Sequence, residues 1–272
     1  MATLCMSKLA DSRLDLYTKL TNHQLRSAWE VERGILIAES EIAIRVALDA
    51  GVRPLSFLLD ERKVEAMQDV LETLDDDIPV FVLPPDEAER LCGYRVTRGA
   101  LCAMQRPAMA PLDSLVAKSR NLVVVEGVTD TSNVGALFRN AAALGADGVI
   151  VAPTCADPLT RRAVRVSMGN VFRVPWCRAG GTWPRDTWEV LRAHGYTTLA
   201  LALAPDAARL DDPSLREAKR IALCFGAEGS GLSGSVLDSC DRKVIIPMAQ
   251  GVDSLNVAAS SAVAMWELFG RS

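Results

Sequence analysis

Histidine is nearly missing from this chain: His23 and His194 are the only two in 272 residues. Neither has ligand-like neighbours, so no metal site is expected. Cysteine is present but unpatterned. The seven thiols (Cys5, Cys92, Cys102, Cys155, Cys177, Cys224 and Cys240) are odd in number, and no two form a C-x-x-C pair. That distribution predicts scattered reduced thiols in a cytoplasmic protein rather than a disulfide framework. No uncharged apolar run reaches the roughly 18 residues a spanning helix needs, so no membrane association is expected. Met1–Ala10 lacks the basic stretch and apolar core of a secretory signal. The phosphate-binding G-x-x-x-x-G-K-[ST] pattern does not occur. Nor is there an excess of basic charge. The formal net charge is −4, whereas a general nucleic-acid binder is usually basic.

What remains is ample material for a packed core, with 49% hydrophobic and 24% charged residues. The length fits one large or two modest domains. In the first half, apolar runs at 35–38, 54–59, 79–83 and 100–104 predict strands. Helices are predicted over 11–32, over 41–50 with Ser40 as cap and Gly51 as stop, over 61–74, and over 86–92. Pro107-Ala-Met-Ala-Pro111 has no helix or strand period. It marks a boundary between domains at 1–107 and 112–272. The second half alternates regularly. Strands are predicted at 122–125, 148–151, 172–175, 198–203, 221–225 and 244–246. Helices are predicted at 133–144, 159–167, 187–194, 233–240 and 256–269. The strands are mostly continuous apolar runs, as expected when both faces are buried. The fold class is therefore α/β, with a parallel sheet in the C-terminal domain and a smaller α/β domain before it.

Three segments, each after a predicted strand, carry the chemical signal, because ligands of open parallel sheets bind at the carboxyl ends of strands. The first contains Asn133, Gly135 and Arg139 and opens a helix. Taken alone, Asn133 reads as a helix cap. The second runs from Gly226 to Gly234, with four glycines in nine residues that let backbone approach a ligand. Gly229, Gly231 and Gly234 also match G-x-G-x-x-G, but only one strand follows. A dinucleotide fingerprint normally opens its fold. The third runs from Ile246-Pro247-Met248 to Ser254-Leu255-Asn256 and leads into the last helix. Capping is again the plain reading of Ser254 and Asn256.

Together these segments resemble the three motifs of the SpoU/TrmH methyltransferases: N-x-G-x-x-x-R, a G-x-E-x-x-G loop met by Gly226, Glu228 and Gly231, and I-P-M…S-L-N. They occur in the family's order, and the stretch Arg165–Pro175 is also similar. The resemblance covers about 115–272. Residues 10–105 look like the family's L30-like substrate-binding domain by pattern more than by signature residues. Gln250 stands where many members have glycine, with Gly251 immediately after. The resemblance implies a SPOUT domain with a deep trefoil knot and a homodimer. For the dimer, Val257, Ala258, Val263, Met265 and Trp266 supply an apolar face on the last helix. It further implies S-adenosylmethionine as cofactor, held at Gly226, Gly231, Ile246, Met248 and Leu255. The implied catalytic set is Arg139, Glu228, Ser254 and Asn256, positioned by Asn133.

The implied reaction is transfer of a methyl group to a ribose 2′-hydroxyl, which selects RNA over DNA. A guanidinium stays protonated in proteins, so Arg139 is expected to stabilise charge on the 2′-oxygen rather than to act as base. Between Asp157 and Arg178, five arginines face one acid. Arg161, Arg162 and Arg165, with Arg95, Arg98 and Arg106 elsewhere, are candidate RNA contacts. Solvated surface charge is the plain alternative. Ribosomal RNA is expected ahead of transfer RNA, by analogy with the L30-like domain. Two other classes fit parts of the sequence. A dinucleotide-dependent oxidoreductase would use the glycine run. A non-catalytic RNA-binding protein would not need Arg139, Glu228, Ser254 and Asn256 together.

Overall fold

The computed structural model describes residues 4–6, 12–18, 20, 23–251 and 254–270. The chain divides into two compact units, Met1–Pro107 with Leu159–Phe172, and Ala108–Pro158 with Arg173–Ser272. The 159–172 segment thus folds with the first unit, although it is embedded in the sequence of the second.

In the first unit the elements follow as β1 (Leu4–Met6), α1 (His23–Glu32), β2 (Ile35–Glu39), α2 (Glu41–Asp49), β3 (Pro54–Asp60), α3 (Gln68–Leu71), β4 (Val80–Leu83), α4 (Pro85–Cys92) and β5 (Ala100–Gln105). The sheet order is β1-β4-β3-β5-β2. The first two pairings are parallel and the last two antiparallel. Ser40 caps α2 by accepting from the Ala43 amide, and Gly51 turns the chain away at φ +77°. The first predicted helix begins with a 3-10 turn at Ser12–Tyr17, and α1 itself starts only at His23. Asp11 and parts of 19–22 lie outside the described residues. The predicted helix over 61–74 is not one helix. It breaks into 3-10 turns at Glu61–Lys63 and Glu65–Met67, followed by the single turn of α3. Asp60 accepts from the Arg62 amide at 3.0 Å and tightens the start. Three acids, Asp75, Asp76 and Asp77, follow the end, where they oppose the helix dipole. The core still takes Met67, Val70 and Leu71. The apolar spacing therefore identified the buried residues but not a continuous helix.

The second unit continues with α5 (Leu112–Lys118), β6 (Asn121–Val125), α6 (Thr131–Ala143) and β7 (Gly148–Val151). After the excursion through α7 (Arg161–Val166) come β8 (Trp176–Arg178), α8 (Arg185–Ala193), β9 (Thr197–Leu201), β10 (Ala208–Arg209), β11 (Ile221–Phe225), α9 (Gly234–Ser239), β12 (Arg242–Ile245) and α10 (Val257–Leu268). Seven strands form one sheet in the order β10-β12-β9-β11-β6-β7-β8, and every pairing is parallel. β7 and β11 are buried throughout, and so is all of β6 except Asn121, because helices cover both faces. Leu122, Val124, Ile150, Trp188, Leu191 and Cys224 form the centre of one core layer. The strand expected over 172–175 begins instead at Trp176, because Asn170–Phe172 closes a 3-10 turn. Pro175 has no N–H to donate. Its carbonyl accepts from Val149 at 3.0 Å and starts the ladder. No helix among the described residues is long and apolar enough to cross a membrane.

Candidate active site

The neighbouring strands β12, β9 and β11 end around a cavity of about 450 Å³. Its walls are residues 201–203 after β9, 225–232 after β11, Ile245, Ile246 and Met248 after β12, and Ser254, Leu255, Val257 and Ser260 at the start of α10. Gly226, Gly231, Ile246, Met248 and Leu255, expected from the sequence to hold a cofactor, all line this one cavity, and so do Glu228 and Ser254. Val252 and Asp253, inside the third motif, lie outside the described residues.

The glycine loop is closed on itself. Ala227 N donates to Gly231 O at 3.1 Å, and Gly231 N donates to Ala227 O at 2.9 Å. The backbone at Gly226 passes so close to this bridge that a Cβ there would lie 2.2 Å from the Gly231 carbonyl carbon and 2.3 Å from the Leu232 nitrogen. Only glycine fits, because the obstacle is main chain and cannot swing aside. Gly231 holds φ +67°, which an L side chain rarely adopts.

Helix α6 is capped by Asp130, whose carboxylate accepts from the Ser132 and Asn133 amides at 2.6 and 3.2 Å. Asn133 is therefore not the cap, and its side chain is free for another use. Asn133 Nδ2 donates to Glu228 Oε1 at 3.0 Å. Asn256 Nδ2 donates to Asn133 Oδ1 at 3.1 Å and also to Glu228 Oε1. Asn256 does cap its helix, accepting from the Ala258 and Ala259 amides at 2.9 and 3.3 Å. One amide side chain thus caps α10 with its oxygen and grips Glu228 with its nitrogen. Three residues from three separate motifs meet in this cluster. Both donors converge on Oε1.

Arg139 is exposed, and its side chain makes no hydrogen bond or ion pair with any described residue. It does not join the Asn133–Glu228–Asn256 cluster within the chain. Its neighbour Asn140 ties α6 to α10, donating to Ala258 O at 2.7 Å and Ser261 Oγ at 2.8 Å. Among the described residues, Cys102, Cys155, Cys177, Cys224 and Cys240 all have their thiol pKa raised by burial. Burial pushes Cys177 up to about 12 and holds Cys224 well above the ordinary thiol range.

The matching family model, described as the SpoU rRNA Methylase family, spans residues 120–266. The chain belongs to the SpoU rRNA methylase family. An uncharacterized tRNA/rRNA methyltransferase of Mycobacterium tuberculosis is 36% identical over 258 residues, covering 94% of this chain and 88% of that one. Among solved structures, the AdoMet-bound rRNA methyltransferase of Sinorhizobium meliloti superposes with a TM-score of 0.81 at 24% identity, covering 98% and 97% of the two chains. The SpoU methyltransferase AviRb of Streptomyces viridochromogenes gives a TM-score of 0.79 at 25% identity, covering 94% and 96%.

The SpoU match contains the whole cavity, the Asn133–Glu228–Asn256 cluster and Arg139. It also explains why the glycine run is no dinucleotide fingerprint. The run follows β11, late in the sheet, and the helix after it has only six residues. Sequence reasoning missed the β9 end of the cavity, residues 201–203, where apolar residues run on without a motif. It also missed Glu126, a buried acid directly after β6. An acid ending an otherwise apolar strand run was the available signal for Glu126. The basic segment divides. Arg161 and Arg165 both pair with the fully buried Glu39, Arg165 at 3.0 Å, and Arg161 also stacks over Tyr94 at 4.3 Å. Both are held inside the first unit by that one carboxylate. Arg162 is exposed, with no partner among the described residues.

Proposed function

We propose that this protein transfers a methyl group from S-adenosylmethionine to a ribose 2′-hydroxyl of structured RNA, ribosomal RNA ahead of transfer RNA. The observation that carries the reading is the convergence of three motif loops on one cavity whose rim holds the Asn133–Glu228–Asn256 cluster. The cavity suits the cofactor. Its volume of about 450 Å³ is within the range for a nucleoside-sized ligand. Apolar walls at Leu201, Phe225, Ile245 and Val257 offer faces for an adenine, while the main chain of the glycine loop offers polar groups. Gly226, Gly231, Ile246, Met248 and Leu255 would hold it. When bound, S-adenosylmethionine supplies an electrophilic methyl group on a sulfonium.

The chain's own residues must then align the acceptor. Glu228 is fixed by two amides on Oε1, which leaves Oε2 as an acceptor of fixed direction. Alignment of this kind is worth several kcal/mol of barrier. Ser254, beside Leu255 on the cavity wall, adds a hydroxyl at the same rim. Arg139 remains a cation and serves as an electrostatic clamp on the 2′-oxygen and its adjacent phosphate. Its exposure and lack of an internal partner support that role, since its charge is uncompensated. Arg162, Arg95 and Arg98 are exposed and support an RNA contact by the first unit. That unit's mixed five-stranded sheet supports the L30-like reading. The same reading includes a deep trefoil knot in the C-terminal unit and a homodimer. Val263 and Trp266, 44% and 54% exposed on α10, supply apolar surface for the dimer, whereas Val257 and Met265 are buried in their own unit.

Labelled methyl transfer to total RNA, followed by mapping of 2′-O-methylated nucleotides in wild-type and deletion strains, tests the proposal. A site lost in the deletion strain identifies the substrate. A thermal melt unmoved by millimolar S-adenosylmethionine overturns the reading, since a hundredfold excess over Kd adds about 2.7 kcal/mol.

A further inference from the structure

Glu126 is the buried acid that no motif accounts for. It follows β6 directly and is 6% exposed. Its backbone N–H donates to Phe225 O at 2.9 Å, at the residue where the chain enters the glycine loop. Its carboxylate holds Ser233, where the chain leaves the loop. Ser233 N donates to Oε2 at 2.7 Å and Ser233 Oγ donates to Oε1 at 2.8 Å. One residue of a neighbouring strand therefore grips residues 226–232 at both ends. A third donor, Trp183 Nε1, reaches Oε1 at 2.6 Å. The Trp183 ring is itself set edge-on against the buried Trp188, at 5.5 Å and 76°. No cation pairs with Glu126 among the described residues; neutral donors alone satisfy it.

We infer that Glu126 is a positioning residue for the methyl-donor loop, acting through Ser233 and Trp183. The donor arrangement requires a carboxylate. Both oxygens accept, and a carboxamide cannot accept at both positions. In Glu126→Gln, one orientation of the amide sets its NH₂ against the Ser233 N–H. The other sets it against the Trp183 indole N–H. Either way a donor faces a donor at the buried end of the Glu126 side chain, which costs more than a lost hydrogen bond. The loop's internal bridge between Ala227 and Gly231 fixes its shape, and Glu126 fixes where that shape sits. Glu126→Asp is one methylene shorter and cannot keep both Ser233 contacts and the Trp183 contact.

This inference rests on the assignment of the loop to S-adenosylmethionine, and its test separates the two. Donor affinity is measured by calorimetry on the wild-type chain, Glu126→Gln, Ser233→Ala and the double variant Glu126→Gln/Trp183→Phe, well below each melting temperature. Amide hydrogen exchange at 226–233 is followed alongside. For Glu126→Gln, Kd is expected to rise about tenfold or more. Exchange at Ala227, Gly231 and Ser233 should quicken while β9 stays protected. Ser233→Ala should weaken binding to a smaller degree. Removing the indole donor with Trp183→Phe should restore part of the loss, a rescue that general destabilisation would not give. If Glu126→Gln does not fold, Ser233→Ala and Trp183→Phe alone carry the test. Unchanged Kd and unchanged loop exchange in folded variants overturn the inference. A wild-type chain that does not bind S-adenosylmethionine overturns the cofactor assignment instead, and the exchange data still report whether Glu126 holds the loop.

Discussion

Replacing Asn256 with aspartate separates the two jobs its side chain does. The oxygen that accepts from Ala258 and Ala259 is retained. Aspartate caps as well as asparagine, and its charge is favourable at the start of α10. The nitrogen that donates to Asn133 and Glu228 is lost, and an oxygen now faces Glu228 Oε1. A hydrogen bond to a charged acceptor is worth about 1.5–3 kcal/mol. The rate of methyl transfer should therefore fall roughly 10- to 100-fold, while the melting temperature stays close to wild type. The two carboxyls repel, so one of them has its pKa raised. As pH falls through that raised value the pair takes up a proton, and the O–H supplies the missing donor. The variant-to-wild-type rate ratio should thus climb as pH is lowered from about 8 to about 5.5. Single-turnover transfer across that range measures it. Asn256→Ala serves as the comparator: it loses the cap at a cost of about 1 kcal/mol and should show no recovery at low pH. A folded Asn256→Asp chain with wild-type rate at pH 8, or a ratio that is flat with pH, would refute the reasoning. Asn256 would then be a helix cap and nothing more.

Arg139→Ala should lower single-turnover methylation by about 10²–10³ with little effect on donor affinity, and Arg139→Lys should rescue poorly because lysine lacks the planar fork; an alanine variant with wild-type rate removes Arg139 from the site. Gly226→Ala would set a Cβ 2.2 Å from the Gly231 backbone, so the loop must move and donor Kd should rise at least about tenfold, read by calorimetry. Glu39→Ala strands Arg161, whose side chain is only 12% exposed, and should destabilise the protein by about 3 kcal/mol in urea unfolding, the low end for a broken buried pair because Arg165 keeps water contact. Asp69 is held down to about 2 by its hydrogen bonds from Arg45. That contribution is present above the ordinary carboxylate value of about 4 and is lost as pH falls toward 2, so Arg45→Gln should flatten the melting curve's pH dependence in that window. Val263→Glu with Trp266→Glu should yield monomers by light scattering if α10 forms the dimer interface, and an unchanged mass would oppose it.

The second unit was the more legible half because its strands are buried on both faces. β6, β7 and β11 read as unbroken apolar runs, and each ends within a residue of its predicted limit. Legibility failed where a local competitor decided the structure. Of the stripe at Val64, Met67, Val70, Leu71 and Leu74, the middle three residues are buried and the two ends half-buried. Yet the Asp60 side chain and the acids after Leu74 left only one helical turn. The arginines at 161 and 165 read as RNA contacts or solvated charge, because their partner Glu39 lies 122 and 126 residues away in sequence. No local window contains that pairing. Glu126 was hidden for the same reason, since Ser233 is 107 residues distant.

The candidate site shows a subtler limit. Read singly, Asn133 and Asn256 both looked like helix caps, and capping residues are common enough that this is the sound expectation. The structure separates them by a competition that the sequence contains but does not rank. Asp130 stands three residues before Asn133, and its carboxylate takes the free amides of α6. That releases the Asn133 amide to bridge Glu228 and Asn256. At α10 Asn256 caps the helix itself. Its second functional group remains for Glu228 because an amide, unlike a serine hydroxyl or a carboxylate, has a separate donor and acceptor. Capping and site assembly are thus not rival readings of Asn256. The cap fixes the side chain against α10, and that fixed orientation is what lets its nitrogen hold Glu228 in one place.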